Sequence, residues 1–266
     1  PSGLAVHEGG QDPQPHRRSR HRPDTVLFTS LFTIAMSIND GFQQSNFRQV
    51  GGFSHGGFKY LTEEQFNNLK DDPLIDQWGM RRFIGMPTEV PFNKSHVEVS
   101  YADANEAHWM YCDPVEGRLP QEGTDEAATD THVLELLGGG AGDRRPGFTI
   151  SFDVDGHTTT QTFTLCGWWE YDEAIVANHI LIPKSRADAI LDEVGTVPPG
   201  EDGMTGSWNL DVMLKSGSRH IANDIAQILE NHAIRIRAPE RRIISTLAST
   251  GAIRAPSSAI IWTPLW

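Results

Sequence analysis

A chain of 266 residues with 38% hydrophobic and 21% charged residues is long enough to bury a core, which excludes a wholly disordered protein. Its 35 acidic residues against 22 basic ones leave a formal charge of -13, the wrong sign for a nucleic-acid partner, because phosphate neutralisation needs clustered Lys and Arg. Cys112 and Cys166 are too few for a disulfide scaffold; they could pair in an oxidising compartment, but their apolar flanks favour buried free thiols.

Residues 1–24 are polar, rich in Pro, Gly and Arg, and aperiodic; they hold the one dense basic run, His16 to Arg22, and show no apolar signal-peptide region. Residues 26–38 (VLFTSLFTIAMSI) are apolar on nearly every face. They fall short of the ~20 residues a membrane helix takes, so they read as a buried element or as the end of a severed membrane helix. The Gly-rich stretch Gly51 to Gly57 reads as a flexible linker. A short strand follows from Phe58 to Leu61, and Thr62-Glu63-Glu64-Gln65 is a capping box opening a helix that turns Phe66 and Leu69 inward and stops before Asp71-Asp72-Pro73. Residues 81–86 and 96–101 read as strands, the second alternating Val97, Val99 and Tyr101 with Glu98 and Ser100.

Gly117-Arg118-Leu119-Pro120 marks a turn, and Thr129 or Asp130 caps a short helix that ends at Gly138. Strands over 148–154 and 158–168 flank Asp155-Gly156, a strong hairpin signal because both residues tolerate positive φ. A strand over 180–182 precedes a helix opened by Ser185 with Asp188 and holding Ala189, Ile190 and Val194. A Pro/Gly loop over 197–206 leads to the alternating strand of Trp208, Leu210, Val212 and Leu214. Ile221, Ile225, Ile228 and Leu229 then fall at helical spacing. Strands and helices mix without βαβ alternation, which predicts an α+β fold.

The motifs of chemistry are missing or weak. The glycines at 51–57 lack the Lys-Ser/Thr end of a phosphate-binding loop. Asp153-Val154-Asp155-Gly156 starts like a calcium loop but lacks the third acidic ligand and the distal Glu. His108 and Cys112 are four apart, and His55, His96, His157 and His179 are scattered, so no metal-ligand pattern organises them. There is no Gly-x-Ser-x-Gly elbow. Trp168 and Trp169 followed by Glu170, Asp172 and Glu173 could serve a carbohydrate, although an exposed acidic strand end is the simpler reading. The residues alone therefore assign no catalytic, cofactor-binding or metal site.

Several strings in order carry a resemblance: the apolar run at 26–38; Arg48-Gln49-Val50; His55-Gly56-Gly57-Phe58-Lys59-Tyr60-Leu61-Thr62; Gly117-Arg118-Leu119-Pro120; Ala128-Thr129-Asp130-Thr131; Thr164-Leu165-Cys166-Gly167-Trp168-Trp169-Glu170; and residues 225–232. Together they resemble FtsX-like (MacB-like) ABC-transporter permeases of Gram-positive bacteria, over residues 25–232. The resemblance implies a first transmembrane helix and then a large extracytoplasmic domain of mixed sheet and few helices. It also implies a separate ATPase subunit, a second permease copy or half, a cell-membrane location with this domain outside, and no enzymatic activity in the domain.

The resemblance divides the chain into an aberrant segment at 1–24, the remnant of the first transmembrane helix at 25–38, an extracytoplasmic domain at 39–232 and an aberrant tail at 233–266. Residues 4–24, read one base out of step with a permissible codon choice and joined to Thr25 onward, give an apolar stretch of about 24 residues with basic residues before it. The tail from Ile243 and the patch 140–147 can be re-read in the same way, so frameshifted ends are expected. The implied function is the coupling of ATP-driven membrane-helix motion to export or to activation of an outside partner. The alternative is a secreted carbohydrate-binding or carbohydrate-active protein.

Overall fold

A computed structural model describes residues 44–139, 147–196, 203–232, 253–254 and 260–262, the last two segments as backbone. The expected aberrant segment at 1–24 and the membrane-helix remnant at 25–38 lie outside the described residues, as do 140–146 of the re-read patch and 233–252 of the tail. Among the described residues no helix is long and apolar enough to cross a membrane.

The described chain begins with helix α1 (residues 44–50). Then come β1 (Gly56–Leu61), α2 (Glu63–Leu69), β2 (Ile75–Gly85), β3 (Val97–Ala102), α3 (Ala104–Trp109), β4 (Glu116–Gly117), β5 (Glu126–Asp130) and α4 (Thr131–Leu136). The second half adds β6 (Phe148–Val154), β7 (His157–Trp169), β8 (Asn178–Leu181), α5 (Lys184–Val194), β9 (Trp208–Leu214), α6 (Ile221–Asn231), β10 (Ile253–Arg254) and β11 (Ile260–Trp262). All the strands join one sheet in the order β10-β11-β1-β9-β2-β3-β8-β5-β7-β4, with β6 paired to β7. The β3–β8 and β5–β7 pairs are parallel among antiparallel neighbours, so the fold is the expected α+β mixed sheet with short helices.

The strand order resolves two lobes. In β11-β1-β9-β2, the central β9 runs antiparallel to both β1 and β2, and β1 runs antiparallel to both β9 and β11. Thus β1-α2-β2 and β9-α6-β11 are two interleaved split βαβ units, a ferredoxin-like arrangement. Everything between β2 and β9 is an insertion, which builds the second lobe on the far edge of β2.

Each lobe has its own core. In the first, Phe58, Met80, Leu210 and Val212 point from one sheet face at Phe66 and Leu69 of α2 and at Ile221, Ile225, Ile228 and Leu229 of α6. In the second, Phe148, Ile150, Phe152, Val154 and Phe163 of the hairpin pack on Val97, Val99, Ile180, Ile190 and Leu191. Each such large side chain, fully buried, contributes about 1.5–3 kcal/mol before entropy is counted.

Local signals explain several elements. Gln65 N–H donates to Thr62 Oγ1 at 3.2 Å and Thr62 N–H to Gln65 Oε1 at 2.9 Å, which is the capping box of α2. Asp130 caps α4 by accepting from Val133 N–H at 2.9 Å, and Gly138 ends the turn after it at φ +80°. The β6–β7 hairpin turns on Asp155 (φ +52°) and Gly156 (φ +81°), the pair of left-handed residues that a two-residue turn requires.

The expected opening of α5 is corrected. Ser185 with Asp188 does not cap α5: the Glu122 carboxylate accepts from the N–H groups of Lys184 and Ser185, each at 2.9 Å, while Asp188 pairs with Arg82 and Lys184. The buried side of α5 is Ala187, Ile190 and Leu191 rather than Ala189. Glu98 and Ser100 are buried along with Val97 and Val99, because β3 is covered on both faces.

Candidate functional site

The alternation that sends Phe58, Met80, Leu210 and Val212 into the first core sends Gly57, Lys59, Gly79, Arg81, Asn209 and Asp211 to the opposite face. Strand register sets them in rows: Gly57, Asp211 and Gly79 lie abreast, and Asn209 lies beside Arg81. On the neighbouring strands Glu98 lies beside His179. This polar face is roofed by α3 and by residues 50–54, which enclose a cavity of ≈120 Å³.

The roof is fastened by backbone geometry. Asp103, the N-cap of α3, accepts from Glu106 N–H at 2.9 Å and from Met80 N–H at 3.0 Å, and its own N–H donates to Met80 O at 3.0 Å. Asn105 Nδ2 donates to Trp78 O at 2.8 Å, which ties α3 to β2 a second time. Gly52 N–H reaches Phe47 O at 2.9 Å, and Phe53 N–H reaches Trp109 O at 3.2 Å. The stretch Gly51 to Gly57, expected as a flexible linker, is therefore a packed strap; its Ser54 Oγ donates to Asp211 Oδ1 at 3.2 Å.

Two glycines make room for the acids. A Cβ on Gly57 would stand 2.1 Å from Asp211 Oδ1, and one on Gly79 would stand 2.7 Å from Glu106 Oε2 and 2.9 Å from Glu106 N. Glycine is required there by close approach rather than by φ. Arg81 forms an ion pair with Glu98, whose other oxygen lies 2.9 Å from His96 Nε2 and whose Oε2 lies 3.8 Å from His179 Nδ1.

Burial dominates the ionisation of the site. It pushes the Lys59 ammonium down, against the pull of Asp211 and Glu106, and it holds the His179 imidazole well below its ordinary range, helped by Arg81 and His96. Burial first, then the charge of Asp211, lifts Glu106 well above the carboxylate range. His179 is thus a neutral imidazole at pH 7, and Glu106 holds its proton more tightly than an exposed carboxyl does.

The sequence candidates lie elsewhere or do other work. His108 pairs with exposed Asp113 at 2.8 Å, and Cys112 is buried, with its Sγ toward Met110 O. Both cysteines are free, Cys112 buried and Cys166 half-buried. His55 Nδ1 accepts from Leu214 N–H, and His157 sits at the exposed hairpin turn. Trp169 is buried while Glu170 and Glu173 are exposed, and Asp172 is held by Arg48 at 2.6 Å. The cavity beside Trp169 and Asp172 is ≈10 Å³, scarcely one water and far below a sugar.

Asp130 borders the same region and gives a pH test. Burial pushes its carboxyl up to about 6 against the backbone hydrogen bonds that favour the anion. A raised folded-state value means that the folded protein holds this proton more tightly, so stability falls as pH rises from about 4 to about 6. Asn caps helices as well as Asp does but cannot ionise. Asp130→Asn is therefore expected to gain about 2–3 kcal/mol on the wild type between about pH 4 and pH 7. Urea titrations at both pH values check this; a difference between the two proteins that does not change with pH counts against it.

No family profile and no curated protein matches this chain. Among solved structures, the extracellular domain of the noncanonic ABC-type transporter YknZ from Gram-positive bacteria is similar at 12% identity and a TM-score of 0.41, covering 69% of this chain and 96% of that one. The periplasmic region of MacB from Actinobacillus actinomycetemcomitans is similar at 10% identity and a TM-score of 0.41, covering 69% of this chain and 86% of that one.

Proposed function

We propose that this chain is the extracytoplasmic domain of an ABC-transporter permease subunit, which couples ATP-driven motion of membrane helices to export or to activation of an outside partner. The observation that carries the reading is the mixed sheet itself, a ferredoxin-like first lobe with a second lobe inserted between β2 and β9. β1 and β11 are antiparallel neighbours with Gly57 opposite Trp262, so the chain comes into the sheet and leaves it side by side. This arrangement would let two membrane tethers act on one end of the domain. The ordered strings at 26–38, 48–50, 55–62, 117–120, 128–131, 164–170 and 225–232 support the same family. ATP would be hydrolysed by a separate subunit, and a second permease copy or half would complete the transporter.

The test places a cysteine at Val90, which is 80% exposed on the inserted lobe. In intact cells, a membrane-impermeant maleimide is expected to label Val90→Cys above the background of the unaltered chain, and the labelled protein should stay in carbonate-washed membranes. Labelling only after lysis would sink the proposal. Labelled protein released into the medium would favour a secreted carbohydrate-binding protein instead.

A further inference from the structure

The roofed polar face holds more acid than base. Lys59 on β1 and Arg81 on β2 bring two positive charges. Asp211 on β9, Glu98 on β3 and Glu106 on α3 bring three carboxyls, and His179 on β8 is neutral. Arg81 is paired with Glu98, and Asp211, ahead of Glu106, is the larger of the two acidic charges that stabilise the Lys59 ammonium. Glu106 is the surplus acid, 3% exposed, with Asp103 and Asp211 as its acidic neighbours. Its Oε2 meets no hydrogen-bond donor among the described residues, although its side chain is within hydrogen-bonding range of Asp211. Two carboxylates at that separation repel, whereas a carboxyl and a carboxylate share a hydrogen bond. A proton on Glu106 would therefore let α3 and β9 share a hydrogen bond, and its loss would set the two acids against each other.

We propose that α3 and the strap at 50–54 form a pH-sensitive cover, closed over the Lys59–Arg81 cavity while Glu106 carries a proton and loosened when that proton leaves. This inference rests on the charge count and the geometry, and it holds whether or not the chain serves a transporter. Ionising Glu106 adds a negative charge beside Asp211 and Asp103, which Arg81, already paired with Glu98, offsets only in part, and Gly79 leaves the Glu106 backbone no slack toward the sheet, since even a Cβ there would stand 2.9 Å from its N atom. The element that must move is α3, six residues long, held to β2 through Asp103 and Asn105 and packed through Ala107 and the following Met110 against Ala128, Trp169 and Leu181. Movement of α3 carries the strap with it through the Phe53–Trp109 backbone bond and opens the cavity wall. The sign follows: a proton held more tightly by the folded state is lost as pH rises, so the cover opens on the alkaline side.

Hydrogen exchange of the full chain from about pH 6 to about pH 9, corrected for the intrinsic rate, reads the cover directly. Protection of residues 103–112 is expected to fall about tenfold or more across this range relative to α5, which has no part in the cluster. Glu106→Gln, which donates the same hydrogen bond without titrating, should abolish that fall. Asp211→Asn, which lets Glu106 ionise against a neutral amide, should shift it and serves as the second variant if Glu106→Gln does not fold. Unchanged relative protection in the wild type overturns the proposal, as does the same fall in both variants.

Discussion

Arg81→Met is expected to destabilise the protein by about 3–5 kcal/mol, the range for removing one partner of a buried ion pair. The guanidinium has a side-chain exposure of 15%, and Glu98 of 11%. Met keeps the length and apolar volume of the stem, so the loss is mainly electrostatic. Without Arg81, Glu98 faces only His96 and a neutral His179, and Asp211 keeps Lys59 alone. Removing the surplus charge should then restore stability: Arg81→Met with Glu98→Gln is expected to recover about half of the loss, because neutral or apolar replacements of both partners are often tolerated. Denaturant midpoints at unchanged slope check both values. A single-variant loss under ~1 kcal/mol would mean that water screens the pair and that the roofed face is open.

Much of the fold was legible in the sequence where its signals are local. The Thr62–Gln65 box, the Asp155-Gly156 turn, the alternation of Trp208 to Leu214 and the spacing of Ile221, Ile225, Ile228 and Leu229 each need only a few neighbouring residues, and each is where the sequence puts it. The candidate site was not legible. Its charges come from five elements, β1, β2, β3, α3 and β9, and no spacing motif links Lys59, Arg81, Glu98, Glu106 and Asp211. The alternation of β3 marks a strand but not the burial of its polar members Glu98 and Ser100, which are covered because β3 is buried on both faces. The cap of α5 comes from Glu122, 62 residues before the helix start it serves, while the local Ser185 hydroxyl instead accepts from Gly123 N–H. One signal was available: Gly57 and Gly79 stand inside strands, where glycine costs stability unless another group approaches closely. Read that way, they point to the face that Asp211 and Glu106 occupy.

Phe58→Ala is expected to cost about 3–5 kcal/mol and to spend it on one lobe. Phe58 is fully buried at the centre of the first core, between β9 and the helices α2 and α6. The large cavity left there cannot collapse, because Leu61, Leu210 and Val212 around it are held in sheet register. The two cores have no buried residue in common; half-buried Tyr101 packs against both, and β2 threads from Met80 in the first core to Ile84 in the second. The lobes also meet along the β2–β3 ladder and through the Arg81–Glu98 and Arg82–Asp188 ion pairs, but among the described residues their apolar cores share only that strand and that ring. The weakened lobe should therefore open ahead of the other: amides of β1, β9 and α6 lose protection while those of β6 and β7 keep theirs. Native-state hydrogen exchange with low denaturant makes the comparison within one sample. Equal loss in both lobes would show that β2 binds them into a single cooperative unit, in which case a load applied where β1 and β11 meet would reach the inserted lobe without the lobes flexing against each other.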